Sequence, residues 1–353
     1  VQVHANIIEN VLANDFIKIN LITKIIENIV LIFGLLFIFL ITNYLKPTYS
    51  ILYFILGLGS LFLISIIFYK QNYFIEIYNV IILQTILFVV LLYRRFVEEN
   101  KSSLENEKKQ LVLKKEREIA GEVQKKLFPS NKDTQNYVYA VNIPAKDVSG
   151  DYYDYIKVSE EEIYFTLADV SGKGIKAGML MANASSVFKS LSKLKFPINE
   201  LALNVNNQVK ESSYKGMFIT AVIGKINIVK KEIEFVNFGH ESIMVLDNEN
   251  NFSYIKASHP PLGFMSLKSS SLVKTSMLDM NDKKIFIYTD GVTEGYIKDQ
   301  DELTVKGLED LILKNKSMNL QEAIHYVTNL LNNRDVLRDD ITMMGLEINK
   351  EKK

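Results

Sequence analysis

Cysteine is absent from the 353 residues, which excludes disulfides, thiolate zinc sites and cysteine nucleophiles. Histidine is scarce: His4, His240, His259 and His325 are the only four, too scattered to suggest an imidazole-based metal centre. Net charge is lacking as well. Basic and acidic side chains number 41 each, so no global field recruits nucleic acid, and no nucleic-acid partner is expected. An initiator Met is missing; the chain begins at Val1, as a segment of a longer protein would. Long apolar runs, by contrast, are abundant, and all of them fall in the first hundred residues.

Residues 29–45 are uncharged and almost wholly apolar, 49–69 form a longer run, and 77–93 a third, softened by Asn79, Gln84 and Thr85. Each approaches the roughly 20 residues that a helix needs to cross about 30 Å of hydrocarbon. The connections around Lys46-Pro47 and Lys70-Gln71 are too short for globular structure. Three runs make one pattern, and no small-residue cleavage site follows the first, which disfavours a signal peptide. A buried helical core is the competing reading; three transmembrane helices in a membrane region 1–93 is the expectation. Arg94-Arg95 and the lysines after them mark the cytoplasmic side. The chain is then a multi-pass protein of the cytoplasmic membrane, in contact with lipid, with its C-terminal part in the cytoplasm and its N-terminus outside. Residues 1–28 are an external segment or the remnant of a larger sensor. A channel would need charge deep in the helices, for which Asn79 and Gln84 are thin support.

Residues 94–130 form a connector rich in Glu, Lys and Leu. Val97, Leu104 and Leu111 recur every seven residues, then Ile119, Val123 and Leu127 every four. The companion heptad positions are mostly Lys, so the coiled-coil signal is weak, and the phase change reads as a stutter. The connector is either a solvated spacer or a signalling helix that pairs two copies of the chain into a homodimer. Pro129 ends it.

From 131 to 353 many short strands accompany paired helices. Strands are expected at 137–143, 152–158, 163–170, 218–228, 231–238, 242–246, 284–289 and 341–348, with those from 218 to 246 as a meander. Helices are expected at 177–194, 198–212, 302–314 and 320–332. Strands segregated from helices indicate an α+β layered domain rather than alternating βαβ units.

The chemistry lies in acids at strand ends. The apolar run 163–170 delivers Asp169, after which Gly172 and Gly174 break the chain before a helix. An isolated pattern of this kind equally describes an Asp capping that helix, but it recurs: 285–289 delivers Asp290, and Asp151, Asp154, Asp339 and Asp340 flank other strands. Carboxylates about 4 Å apart repel by about 4 kcal/mol per pair at an effective dielectric of 20, so such a cluster needs protons or cations. Oxygen-only ligation favours Mg2+ or Mn2+, and two such ions can activate water and clamp a phosphoryl group.

The motifs Pro144-Ala-Lys-Asp-Val-Ser-Gly-Asp-Tyr-Tyr-Asp154, Ala168-Asp-Val-Ser-Gly-Lys-Gly174, Asn237-Phe-Gly-His240, Pro261-Leu-Gly263, Tyr288-Thr-Asp-Gly-Val-Thr-Glu294 and Arg338-Asp-Asp-Ile-Thr342 follow in order. With the run 118–129 before them, they make residues 121–348 resemble the type 2C metal-dependent protein phosphatases, specifically the RsbU/SpoIIE-like bacterial serine phosphatases. The resemblance implies N-terminal transmembrane α-helices plus an α+β layered domain, a central antiparallel β-sandwich flanked by helices. It implies hydrolysis of phosphoserine or phosphothreonine with two Mn2+ or Mg2+ ions. The substrate it implies is a phosphorylated STAS-type anti-sigma-factor antagonist in a partner-switching pathway. A non-catalytic partner-binding module on the same fold is the alternative, disfavoured because every expected carboxylate is present.

By the same resemblance Asp151 and Asp169 bridge the ions, the Val170 carbonyl adds a ligand, and Asp290 and Asp339 complete the second ion's shell. Asp340 could exchange with Asp339. Asp154 lies an odd number of positions from Asp151, so in a flat strand the two point to opposite faces, and Asp154 is expected behind the ligands or on an accessory ion. Glu294 is expected behind the ligands or as a helix-start carboxylate. Lys146 is the candidate for positioning phosphate. Two positions depart from many type 2C relatives: Val170 replaces a Gly, where only a backbone oxygen is needed, and Ser171 replaces a His credited as general acid. His240 is expected to be structural, and Met179 and Met181 to be core, on a helix through which the connector could shift Asp169 and Gly172.

Overall fold

A computed structural model of the chain describes residues 11, 21–129, 134, 137–297, 302–332 and 337–348. The expectations for residues 1–10, 12–20 and 131–133 lie outside the described residues. The chain divides into two compact units, Val1–Val112 and Leu113–Lys353.

The first unit is built on α1 (Leu21–Tyr44), α2 (Pro47–Tyr69) and the start of α3 (Ile77–Lys125). All three helices are long and apolar enough to cross a membrane. α1 begins eight residues before its apolar run, because Thr23, Lys24 and Glu27 are compatible with a helix even though they are not apolar. Pro47 opens α2 where its missing N–H has no helical partner. Polar groups are used at the contacts between these helices. Glu27 accepts from the Glu76 amide at 2.7 Å, just before α3 begins. Gln84 is buried in a notch left by Gly34, where a Cβ would collide with its amide, and donates to the Val30 carbonyl. Arg95 donates to the carbonyls of Thr42 and Leu45 at the end of α1, where helix carbonyls lack partners. The compositional boundary at residue 94 is not a structural one, since α3 continues unbroken to Lys125. Val97, Leu104 and Leu111 are all exposed along it.

The second unit contains two five-stranded antiparallel sheets. One has the order β2 (Tyr152–Lys157), β3 (Glu162–Val170), β4 (Ile219–Asn227), β5 (Glu232–Phe238) and β8 (Ser276–Asp279). The other has β1 (Val138–Ile143), β10 (Ile341–Glu347), β9 (Lys284–Tyr288), β6 (Ile243–Leu246) and β7 (Phe252–Ile255). Side-chain alternation sorts the layers. On β3, Ile163, Phe165 and Leu167 enter a core shared with Val138, Ile285, Ile287, Met344 and Leu346 of the other sheet. Tyr164, Ala168 and Val170 point the other way, onto α4 (Ile175–Lys193) and α5 (Ile198–Ser212). The outer face of the second sheet packs on α7 (Thr304–Lys314) and α8 (Leu320–Leu331). The layers are helix, sheet, sheet, helix. Each fully buried aromatic such as Phe165 or Phe235 contributes roughly 1.5–3 kcal/mol. Phe165 lies across from Gly224 on β4, where any larger residue would meet its ring.

The expected strands and helices form, with three differences. β7 and β8, four residues each and only partly buried, carry too little periodicity to stand out in sequence. The meander is broken: β4 and β5 pair, but β6 crosses to the other sheet and pairs with β7 and β9. The crossing is the turn at Gly239 (φ 63°), held by Asn237, which accepts from the His240 amide and donates to the Glu241 carbonyl. Finally, Met181 is core, but Met179 is 70% exposed on the outer face of α4.

Candidate metal centre

The same alternation that builds the inner core carries its polar end. Continuing the inner-facing parity past the apolar residues leads to Asp151 before β2, Asp169 on β3, Thr289 after β9, and Thr342 and Asp340 at the start of β10. The β2–β3 register pairs Tyr152 with Ala168, so Asp151 falls opposite Asp169. Cross-strand neighbours of this kind have Cβ atoms about 5 Å apart. Asp290 begins the short helix α6 (Asp290–Thr293), and Asp339 lies one residue before Asp340 in the turn entering β10. Each sheet therefore contributes acids to one rim of the sandwich.

The shared neighbourhood shifts the titration of these acids. Asp151 is pushed well above the usual carboxylate range by burial, then by the charge of Asp169 and that of Asp340, with the Thr342 and Thr289 hydroxyls opposing. Asp169 is raised to about 6 by burial and by Asp290 and Asp339. Asp290 is raised by burial and by Asp339. Among the described residues no three acidic or imidazole groups stand as a ready-made ion cage. Several of their oxygens already have donors. Thr289 and Thr342 both donate to Asp151 Oδ2, at 2.8 and 2.5 Å. Lys173 Nζ is 2.7 Å from Asp339 Oδ2.

The two neighbouring aspartates separate by environment. Asp340 is buried and accepts from the Ala145 amide (2.7 Å), the Gly150 amide (2.6 Å) and the Ser149 hydroxyl (3.0 Å). It holds the loop that carries Asp151. Asp339 is partly exposed at the rim and has Oδ2 on Lys173. The Val170 and Gly172 carbonyl oxygens both face Gly150, each 3.4 Å from where a Cβ would stand. A Cβ at position 150 would sit in ordinary contact with those oxygens and with Asp340 Oδ2.

Two expected residues lie elsewhere, and a third, Glu294, lines the cleft beside Asp339 without joining the buried acids. Asp154 points to the outer face, as its odd spacing from Asp151 requires. It accepts from the Tyr152 hydroxyl at 2.5 Å and pairs with Lys189 of α4 at 3.4 Å. Burial raises its carboxyl despite both partners. It is a buried anchor between β2 and α4 and is not beside the other acids. Lys146 is exposed and, among the described residues, forms no side-chain hydrogen bond or ion pair. Glu294 is exposed at the end of α6, where it and Asp290 follow burial in raising Glu241. His240 is buried beside Thr220 and lowered to about 4 by burial, which keeps it neutral.

Sequence reading missed Lys173, Thr289, Thr342, Ser149 and Gln124. Lys173 lay inside a quoted motif, and Thr289 and Thr342 lay at the inner-facing parity, so both signals were present.

Residues 159–349, more than half of the chain, match the family described as Stage II sporulation protein E (SpoIIE). The chain is 29% identical over 247 residues to phosphoserine phosphatase RsbU of Bacillus subtilis, covering 66% of this chain and 70% of that protein. It is 25% identical over 230 residues to phosphoserine phosphatase RsbP of the same organism, covering 60% of this chain but only 55% of RsbP. The solved SiaA-PP2C domain of Pseudomonas aeruginosa superposes with a TM-score of 0.57 at 14% identity, covering 68% of this chain and 98% of that domain. That likeness establishes the fold. With the motifs, the two sheets and the acidic rim in agreement, the chain belongs to the SpoIIE family, the RsbU/SpoIIE-like phosphatases of type 2C fold.

Proposed function

We propose that this chain is a membrane-anchored, metal-dependent protein serine/threonine phosphatase acting on a cytoplasmic regulator. The observation that carries the reading is the acidic rim. Two buried sheets that are otherwise apolar on their inner faces end in Asp151 and Asp169 on one side and Asp290 and Asp339 on the other. A carboxylate raised to about 6 by burial and then by its acidic neighbours is ionised at neutral pH at a free-energy cost that a nearby cation removes. The donors are all oxygen, which fits Mn2+ or Mg2+.

Asp151 and Asp169 would be shared by two ions, with the Val170 carbonyl beside them and Asp290 and Asp339 completing the second. When bound, the ions supply an activated water and neutralise the phosphoryl oxygens. The protein's own residues set the geometry. Thr289 and Thr342 fix one oxygen of Asp151 and leave the other to the site. Asp340 holds the Ser149–Gly150 main chain, and Gly150 keeps the carbonyls of Val170 and Gly172 accessible. The substrate we favour is a phosphorylated STAS-type anti-sigma-factor antagonist, in keeping with the RsbU and RsbP relatives. The exposed heptad residues of α3 support a homodimer through that helix.

The test is phosphate release from a phosphoserine STAS protein by the full chain in detergent. Release should need Mn2+ or Mg2+, stop with EDTA, and fall by several orders of magnitude in Asp169→Ala. Release that survives EDTA or that substitution overturns the reading. Because the chain has no cysteine, single introduced cysteines report orientation directly: Lys101→Cys should be labelled only from the cytoplasmic face.

A further inference from the structure

Among the described residues, one lysine is ion-paired into the acidic rim. Lys173 sits between Gly172 (φ 99°) and Gly174 (φ 81°) in the loop leaving β3. Its ammonium is 2.7 Å from Asp339 Oδ2, donates to the Arg338 carbonyl at 3.0 Å, and is about half exposed (49%). It lines a cleft of about 240 Å³ beside Asp339, together with Gly291, Glu294, Tyr296, Glu302 and Arg338, so it stands among several carboxylates there. Arg338 is already engaged, lying over the Tyr296 ring and donating to its hydroxyl at 2.8 Å. Lys146, the basic residue nearest Asp151 in sequence, touches none of the acids.

We propose that Lys173 holds a non-bridging oxygen of the phosphoryl group, in substrate and in released phosphate alike. This assignment rests on the phosphatase reading above and names a group that reading lacks. A phosphomonoester dianion approaching this rim meets carboxylates, so a fixed cation at the cleft mouth favours its entry. The ammonium has three N–H donors, and its contacts to Asp339 and the Arg338 carbonyl leave one for a phosphate oxygen. If Asp339 turns Oδ2 toward a hard cation, a second donor is released on the same side. The loop leaves β3, which pairs with β4, and enters α4, so the backbone that carries Lys173 is held on both sides. Charge-assisted hydrogen bonds to phosphate are among the stronger polar contacts.

The experiment compares the full chain in detergent with Lys173→Met, Lys173→Arg and Lys146→Met. Inorganic phosphate binding to the Mn2+-loaded protein is measured by calorimetry and as product inhibition, beside KM, kcat and Mn2+ affinity. Lys173→Met should weaken phosphate binding and raise KM by about tenfold or more, the loss expected for a hydrogen bond to a charged group. Mn2+ affinity should stay the same or tighten, because a competitor for Asp339 is gone. Lys173→Arg should recover most of the phosphate affinity, and Lys146→Met should match the parent. Unchanged phosphate binding in Lys173→Met, with the parent active, overturns this assignment alone; so does a loss confined to Mn2+ binding. A parent chain that releases no phosphate with Mn2+ overturns the phosphatase reading and this assignment with it.

Discussion

Gln124 and Ser149 hold each other through a closed pair of hydrogen bonds. The Gln124 side chain donates from Nε2 to the Ser149 carbonyl at 2.7 Å and accepts at Oε1 from the Ser149 amide at 2.9 Å. Both residues are buried. Gly121, one turn earlier on α3, lies against the Asp147 carbonyl, and Gly178 of α4 lies against Val148. The end of α3 thus grips the segment that leads two residues later to Asp151.

Removing that grip should loosen the site without touching an acid. Gln124→Leu leaves a buried amide and a buried carbonyl without partners, at about 1–3 kcal/mol each. We expect Mn2+ half-saturation to rise about tenfold and thermal stability to fall. Gly121→Ala, whose methyl group would meet the Asp147 carbonyl, should act in the same direction. A Gln124→Leu protein with the parent's Mn2+ titration and melting curve would show that the pair is not coupled to the site.

Thr289 and Thr342 should matter chiefly through Asp151, although valine also removes the acceptors that Thr289 offers the Thr342 amide and Thr342 offers the Asn142 side chain. Valine keeps their shape and removes the hydroxyl donors, so Thr342→Val leaves one oxygen of a buried carboxylate short of a hydrogen bond to a charged group, worth about 1.5–3 kcal/mol. Phosphate release should drop at least tenfold at limiting Mn2+ and recover partly at saturating Mn2+. Thr289→Val should do the same, and the double variant should be less than additive because both act on one oxygen.

Asp154 provides a contrast. Lys189→Met would strand a buried carboxylate, a change that destabilises by about 3–5 kcal/mol for a broken buried pair, less here because Lys189 is partly exposed. The melting temperature should fall by several degrees. Asp154→Asn should leave the Mn2+ titration within a factor of two of the parent, as measured by calorimetry. A large Mn2+ deficit in Asp154→Asn would return that residue to the metal site.

The acidic rim also predicts a pH dependence for the cation-free protein. Asp169 is raised from 3.8 to about 6, so the folded state holds its proton more tightly than the unfolded chain does. Below about pH 4 both states are protonated and the site contributes no difference. Between about pH 4 and 6 the fold loses stability, by roughly 3 kcal/mol at most. In EDTA, Asp169→Asn should therefore melt higher than the parent at pH 7.5, and the two curves should converge near pH 4. A variant that melts lower at pH 7.5 would refute this.

The acids themselves were legible. Apolar runs that end in Asp mark 169 and 290 without any structure, and period-two alternation alone places Asp151 and Asp154 on opposite faces. Three apolar runs of membrane-spanning length likewise read directly from composition, and the capping box of Asn319 and Glu322 matches the helix expected at 320. Local periodicity could not show which sheet each strand joins. β6 follows β5 in sequence yet lies in the other sheet, because the turn at Gly239 redirects the chain and β7 and β9 provide its partners.

Sequence by itself determined the inventory: hard oxygen donors at strand ends, no thiol or imidazole alternative, and a largely apolar first quarter of the chain. Tertiary structure decided the assignments within it. Asp340 became a loop anchor and Asp339 a rim acid although they are adjacent, because one faces the main-chain amides of 145 and 150 and the other faces Lys173. Lys173 rather than Lys146 reached the rim for the same reason. A side chain's partner is set by which faces pack together across 150 or more residues of chain, and no short-range pattern encodes that distance.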